Sequence, residues 1–413
     1  MSLYKRTINK SIINASKSFP VLLVTGPRQV GKTTVLEMCA EEIHNSDRKY
    51  VTLDDFEQRH LAQTDPALFL QFHQTPLIID EIQYAPQLFN YIKIAVDKAK
   101  KNGLYWLTGS QKFQLMKGVT ESLAGRVAII ELQGFAIAEI ENRADKLLPF
   151  LPTNKWLTET KNRKPKTVVV KDLYQRILQG CYPRVINEPS ISTDLFYNSY
   201  LQTYIQRYVR ELAQVADEKK FRDFIQATAA RTSQLLNYSN LARAVDVDQK
   251  TIKSWLSILE TSGLVYLLQP YYNNLSKRLI KTPKLYFLDT GLCCYLTKWS
   301  SSKALEAGAL SGEILETYII SELLKSYWYN GMQSHFYFYR DKDQKEIDLL
   351  IEQNNKLYPI EIKKSASPGQ SVIKNFTVLK NLDKSIGEGA VICLKEHEIP
   401  LSANINIIPV GYL

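Results

Sequence analysis

Over the first third of the chain, apolar positions fall in short runs separated by stretches of helical spacing. "PVLLVTG", "KYVTLDD", "PLIIDE", "LYWLTGS" and "RVAIIEL" each hold a short apolar run between turn residues. Runs of that length fit strands buried on both faces of a parallel sheet. Between two of them, residues 87–100 ("QLFNYIKIAVDKAK") repeat their apolar positions at helical spacing. The alternation predicts βαβ units and a doubly wound α/β fold. From Tyr174 to about Thr261 the pattern turns helical. There, "SNLARAVDVDQKTIKSWLSILETSGLVYLL" predicts a helix at 240–245 capped by Ser239, a turn at "DVD", and a second helix at 249–261. The second helix gathers Ile252, Trp255, Leu256 and Leu259 on one face and ends at Gly263. The segment that follows reads as a β-hairpin wing carrying Lys277, Arg278, Lys281 and Lys284, which makes the unit a winged helix. The last hundred residues alternate again, with a helix at 312–329 and strands near 334–340, 346–352 and 357–363.

These patterns divide the chain into an α/β unit at 1–150, a helical and winged-helix unit at 173–298, and a second α/β unit at 299–413. Residues 151–172 hold two prolines and six Lys/Arg against two acids, which predicts an exposed insertion or linker.

Chemistry enters at the end of the first strand. "VLLVTGPRQVGKTT" places Gly26, Pro27, Arg28, Gln29, Val30, Gly31, Lys32, Thr33 and Thr34 between a buried strand and a helix. Gly-x-x-x-x-Gly-Lys-Thr in that setting is a phosphate-binding loop. Its N–H groups would curl around phosphate oxygens, and the helix start adds a positive dipole end. Lys32 would reach the β- and γ-phosphates of ATP and the Thr33 hydroxyl would ligate Mg²⁺. "PLIIDE" ends its strand in Asp80 and Glu81, at the edge where ligands of parallel sheets bind. Asp80 would hold Mg²⁺ and Glu81 would act as base for water. Ser110 or Thr108, at the end of "LYWLTGS", would sense the γ-phosphate.

A second cluster lies near the other end of the chain. In "EIDLLIEQNNKLYPIEIKKS", Glu361 and Lys363 share one face of a strand, and "QNNK" is a turn sequence. A loop at 353–356 sets Asp348 opposite Glu361, and a loop at 354–357 sets it opposite Lys363. Either way the three share a face, whereas the intermediate register separates them. Upstream, Glu316 in the helix supplies a third acid, with Glu313 and Glu322 as rivals. Two acids and a lysine on one face suit metal-dependent phosphodiester hydrolysis, with a second Mg²⁺ or Mn²⁺ held by Glu316, Asp348 and Glu361 and with Glu361 and Lys363 catalytic. The competing expectation is a solvent-facing strand that alternates charge because one side is wet.

"GPRQVGKTT", "LIIDEIQ", "LTGSQ", "SLAGRV" and "YFLDTGL" together resemble the prokaryotic family that joins an AAA+ ATPase core to a C-terminal domain of unknown function, AAA_14 with DUF4143. The resemblance spans nearly the whole chain and implies ATP hydrolysis. It also implies a homo-oligomer in which an arginine crosses the subunit interface. Arg126 in "SLAGRV" is the candidate, the competing role being a structural arginine before a strand; Arg28 is a lesser candidate. The C-terminal cluster resembles the PD-(D/E)xK nuclease core, which implies a restriction-endonuclease-like fold. Asp348, Glu361 and Lys363 match its pattern, although Ile347 stands where the name puts proline.

Composition changes this picture little. The chain has 413 residues, 45% hydrophobic and 23% charged, as expected of two or three globular domains. A net charge of +10 points to an anionic partner, DNA or RNA. Five cysteines, of which only Cys293 and Cys294 are close, make no zinc or redox spacing. Without a signal-peptide pattern or an 18-residue apolar run, the expected location is cytoplasmic.

Overall fold

The computed structural model describes residues 3–43, 47–110, 112–163, 165, 167–208, 218–272 and 282–413. The first unit is built on five strands: β1 (Val21–Thr25), β2 (Lys49–Thr52), β3 (Leu77–Asp80), β4 (Tyr105–Gly109) and β5 (Val127–Glu131). They pair in parallel in the order β2-β3-β4-β1-β5. β1 is buried along its whole length, so its run of Val and Leu reflects helices on both faces. Thr25 pairs with Gly109, and Thr52 with Asp80. The register therefore delivers the phosphate loop, Asp80 and Ser110 to one edge of the sheet, as the strand pattern predicted.

Part of the expected linker is helical. Asn154–Asn162 is a helix whose N-cap Thr153 accepts a hydrogen bond from the Trp156 N–H. Trp156 and Leu157 are buried with Phe150, Tyr174, Leu349 and Ile360. Each large apolar side chain buried adds roughly 1.5–3 kcal/mol, enough to hold a basic, polar segment against the C-terminal core. The clustering of 156, 157 and 160 on one face was hidden by the charge around it.

The middle unit contains the helices Tyr238–Val245 and Gln249–Thr261. Asn237 caps the first by accepting from the Asn240 N–H, and the expected cap Ser239 donates to Asn237. The short strand β6 (Gln234–Leu235) comes before these helices, and β7 (Val265–Pro270) and β8 (Lys284–Phe287) follow them. β8 pairs antiparallel with both β6 and β7. Of the four cations expected on a basic wing, Lys277, Arg278 and Lys281 lie outside the described residues. The fourth, Lys284, is only 3% exposed.

The last unit opens with the helices Ser302–Ala307 and Ser311–Trp328. The strands β9 (Phe336–Arg340), β10 (Glu346–Gln353), β11 (Lys356–Lys363), β12 (Ser385–Ile386), β13 (Gly389–Cys393), β14 (Ile399–Ser402) and β15 (Ile405–Pro409) follow. β7 pairs in parallel with β9 through Gln269–Tyr337 and Pro270–Phe338. One ten-stranded sheet therefore runs through the middle and C-terminal units, across the expected boundary at 298/299.

Candidate functional site

The phosphate loop closes against the strand at its side. Gly26 has φ 141°, and a Cβ there would run into the Leu132 carbonyl oxygen, so only glycine lets the loop turn so tightly beside β5. Gly31 caps the helix Lys32–Glu42. The buried Lys32 ammonium donates to the carbonyls of Gly26 at 3.1 Å and Pro27 at 2.8 Å. Burial pushes its pKa down to about 8, against the pull of Glu81 and Asp80. Val30 is buried, Arg28 and Thr34 are half-buried, and Gln29 is exposed.

Three hydroxyls hold Asp80. Thr33 donates to its Oδ1 at 3.0 Å and Tyr50 to its Oδ2 at 3.1 Å, and Thr108 also donates to Oδ1. Thr33 and Asp80 are hard oxygen donors side by side, a set that suits Mg²⁺. The ion would supply charge neutralisation for phosphate oxygens. Glu81 adopts a left-handed backbone with φ 55°, and its N–H donates to Thr108 at 3.2 Å. Its carboxylate accepts from Gln83 and, at 3.4 Å, from Ser110. Lys32, Thr33, Asp80, Glu81 and Ser110 thus converge.

Arg126 stands elsewhere. It precedes β5, at the edge of the sheet where Val21 pairs with Val127. One strand length, roughly 16 Å, separates it from its own loop. Its guanidinium grips Asp97 at 2.6 and 3.0 Å.

In the C-terminal cluster, Leu349 pairs with Ile360 and Gln353 with Lys356. The next step of this register sets Asp348 opposite Glu361, as the 353–356 alignment anticipated. The turn itself is tighter, with only Asn354 and Asn355 unpaired and both at positive φ; asparagine tolerates that region in a type I′ turn. Lys363 bridges Asp348 at 3.1 Å and Glu361 at 2.6 Å. Neither strand is half-wet, because β10 and β11 are buried on both faces through most of their lengths. The alternating charge is not a solvent face.

Glu316 joins this region, but through a residue that was expected on the wing. The Lys284 ammonium lies 3.4 Å from Glu316 and 2.6 Å from Glu346, and Tyr286 donates to Glu316 at 2.6 Å. Arg340 pairs with the other oxygen of Glu346 at 3.0 Å. Burial works against charge on Lys284, but Glu316, Asp348 and Glu346 outweigh it and its pKa rises. Burial raises Asp348 too, yet Lys363, Lys284 and the Ile362 N–H leave it lower than an ordinary carboxylate. Glu361 is pushed up to about 9 by burial and by Asp348. Among the described residues, no group of three or more His, Cys, Asp or Glu side chains is arranged to hold a metal. The expected set of Glu316, Asp348 and Glu361 does not form such a group, and Lys284, which the expected constellation did not include, pairs with Glu316. The rival Glu322 points away: it pairs with Lys325 at 2.8 Å and accepts the Ile137 N–H at 2.8 Å. Glu313 is half-buried.

Sequence reasoning missed Tyr50, Gln83, Lys284 and Tyr286. Gln83 lay inside "LIIDEIQ" without a role. The others reach their partners through sheet order, for which the local pattern carries no signal.

Three family models match the chain. An AAA domain matches residues 18–141, the domain of unknown function DUF8612 matches residues 170–303, and the domain of unknown function DUF4143 matches residues 311–413. Two mycobacterial relatives, the uncharacterized protein Rv2008c of Mycobacterium tuberculosis and the uncharacterized protein Mb2031c of Mycobacterium bovis, are each 27% identical over 410 residues. Each alignment covers 99% of this chain and 84% of the relative. Among solved structures, the Walker-type ATPase paby2304 of Pyrococcus abyssi is similar with a TM-score of 0.43 at 14% identity, over 71% of this chain and 96% of the other. AMPPCP-bound DnaA from Aquifex aeolicus has a TM-score of 0.29 at 12% identity, over 61% and 85%.

Proposed function

The chain is an AAA-type P-loop ATPase that carries a C-terminal DUF4143 domain, and we propose that it uses ATP to switch its middle and C-terminal units, which hold a partner without cutting it. Lys32 would bind the β- and γ-phosphates, Thr33 and Asp80 would hold Mg²⁺, Glu81 would take a proton from the attacking water, and Ser110 would report on the γ-phosphate through Glu81. Arg126 acts only across a subunit interface, by exchanging Asp97 for a neighbour's phosphate.

One observation carries the non-cutting reading. The Lys284 ammonium pairs with Glu316, one of the three acids from which a nuclease of this kind would hold a divalent ion, and the Asp348 charge acts on it as well. The succession of helix, β9, β10, β11 and a parallel β13 supports an endonuclease-like fold. We infer that Glu316 and Asp348 now serve ion pairing, with lysines in the place of metal. A nucleic acid remains the partner that charge favours, because Arg243, Lys250 and Lys253 are exposed on the paired helices of the middle unit. Binding there falls steeply with added salt.

Two assays on the full chain test this. Lys32→Ala and Glu81→Gln abolish phosphate release, and Glu81→Gln keeps nucleotide binding. With Mg²⁺ or Mn²⁺, neither DNA nor RNA is cut. Metal-dependent cleavage that disappears in both Glu361→Gln and Lys363→Ala would overturn the non-cutting reading and restore the nuclease.

A further inference from the structure

The N-terminal segment carries an arginine that the phosphate-loop motif does not include. Arg6 is 3% exposed and lies behind the loop. Its Nε is 3.0 Å from Glu139, itself fully buried. Nη1 donates to the Val30 carbonyl at 3.2 Å. Nη2 lies within reach of the carbonyls of Gln133 and Gly134 at 3.0 and 3.2 Å, and of the Tyr329 hydroxyl at 3.3 Å. The guanidinium sits over the rings of Phe135 and Tyr329, 4.7 and 5.4 Å from their centroids. A planar fork matches such a fixed set of acceptors, whereas a lysine ammonium is a point charge.

The contact with Val30 is the informative one. A trans peptide is planar, so its C=O and the next N–H point in opposite directions. Wherever the loop turns an N–H inward toward phosphate, the carbonyl before it must turn outward and find a donor. Arg6 is that donor for the peptide joining Val30 to Gly31. The same guanidinium holds residues 133 and 134, which directly follow the Leu132 carbonyl that Gly26 packs against. It therefore fixes both the spacing behind the loop and the orientation of one peptide within it.

We propose that Arg6 is a positioning residue for nucleotide binding, which takes the Val30 carbonyl so that the Gly31 N–H is aimed at the phosphates. The proposal concerns the ATP site alone and holds whatever the C-terminal unit does.

The test uses the full chain and separates affinity from stability. Arg6→Lys keeps the charge opposite Glu139 but cannot span Glu139 and Val30 together. A hydrogen bond from a charged donor is lost, so the Kd for a non-hydrolysable ATP analogue and the KM for ATP rise about tenfold or more. The kcat stays within about threefold, because that bond serves ground state and transition state alike. Tyr329→Phe removes the hydroxyl that meets Arg6 Nη2 and the Gly134 carbonyl and keeps the Nη1 bond to Val30. It lowers the melting temperature of the nucleotide-free protein and leaves Kd unchanged. Should Arg6→Lys fail to fold, the pair Arg6→Met with Glu139→Gln removes both charges together and leaves neither buried alone; its Kd rises in the same way. A wild-type Kd in a folded Arg6 variant would overturn the proposal. So would a Tyr329→Phe variant that loses affinity as much as Arg6→Lys, since Arg6 would then act only through general packing.

Discussion

Single residues in the C-terminal cluster differ in the protons they hold. Burial and the neighbouring Asp348 push the Glu361 carboxyl from an ordinary value near 4.5 up to about 9, and Lys363 opposes this without winning. Between those two values the folded protein keeps a proton that the unfolded chain has released. Stability from this group is therefore lost as pH rises from about 4.5 to about 9. Glu361→Gln keeps the shape and removes the proton. It should melt above the parent at pH 8–9, by an amount on the order of 1–3 kcal/mol, and level with it near pH 4.5. Parallel melting curves across that range would show Glu361 to be ionised in the fold. The contrast between legible and hidden residues follows from distance along the chain. Lys32, Thr33, Asp80 and Glu81 were readable because each sits within a motif that specifies its own local geometry. Tyr50 and Lys284 were not, because each meets its carboxylate only once β2 lies beside β3, or β8 across from the helix Ser311–Trp328.

At the scale of elements, helix ends and turns carried most of the sequence signal. Gly263 was read as the end of the helix Gln249–Thr261, and it does sit at φ 73° just beyond it. Its second role was invisible. A Cβ there would lie 2.8 Å from Gln133 and 3.1 Å from Pro27 of the phosphate loop, so the end of this helix rests against the ATP site. Gly263→Ala should lose about 1–2 kcal/mol from the left-handed backbone alone and raise the KM for ATP by displacing Pro27. Denaturant midpoints and ATPase kinetics measure the two effects separately, and an unchanged KM would mean that Pro27 yields without moving the loop. The β10–β11 hairpin was legible to within its turn, because period-two alternation and "QNNK" leave few registers. The helix Asn154–Asn162 was not, because composition outvoted a short apolar face.

At the scale of the whole molecule, the three units are joined by buried polar contacts. Lys325 donates to the Phe135 carbonyl at 2.9 Å, Glu322 accepts from Ile137, and Tyr329 reaches Gly134. All three come from the far end of the chain and clamp residues 134–137, next to the phosphate loop. The unit read as residues 1–150 therefore has polar backbone whose partners lie beyond residue 300. Expressed alone, it should lack a cooperative melting transition near that of the full chain and hydrolyse ATP at less than about a tenth of its rate. A fragment that matches the full chain in both would show these contacts to be dispensable. The sheet that passes from β8 through β7 into β9 also bears on ancestry. A C-terminal unit grafted from a relative at residue 299 would arrive with β9 as a bare edge, open to unwanted pairing. Its Glu316 and Glu346 would lack their ammonium. β7 and β8 would have to travel with it, so a recombinant that keeps this sheet must carry residues 265–287 together with the C-terminal unit.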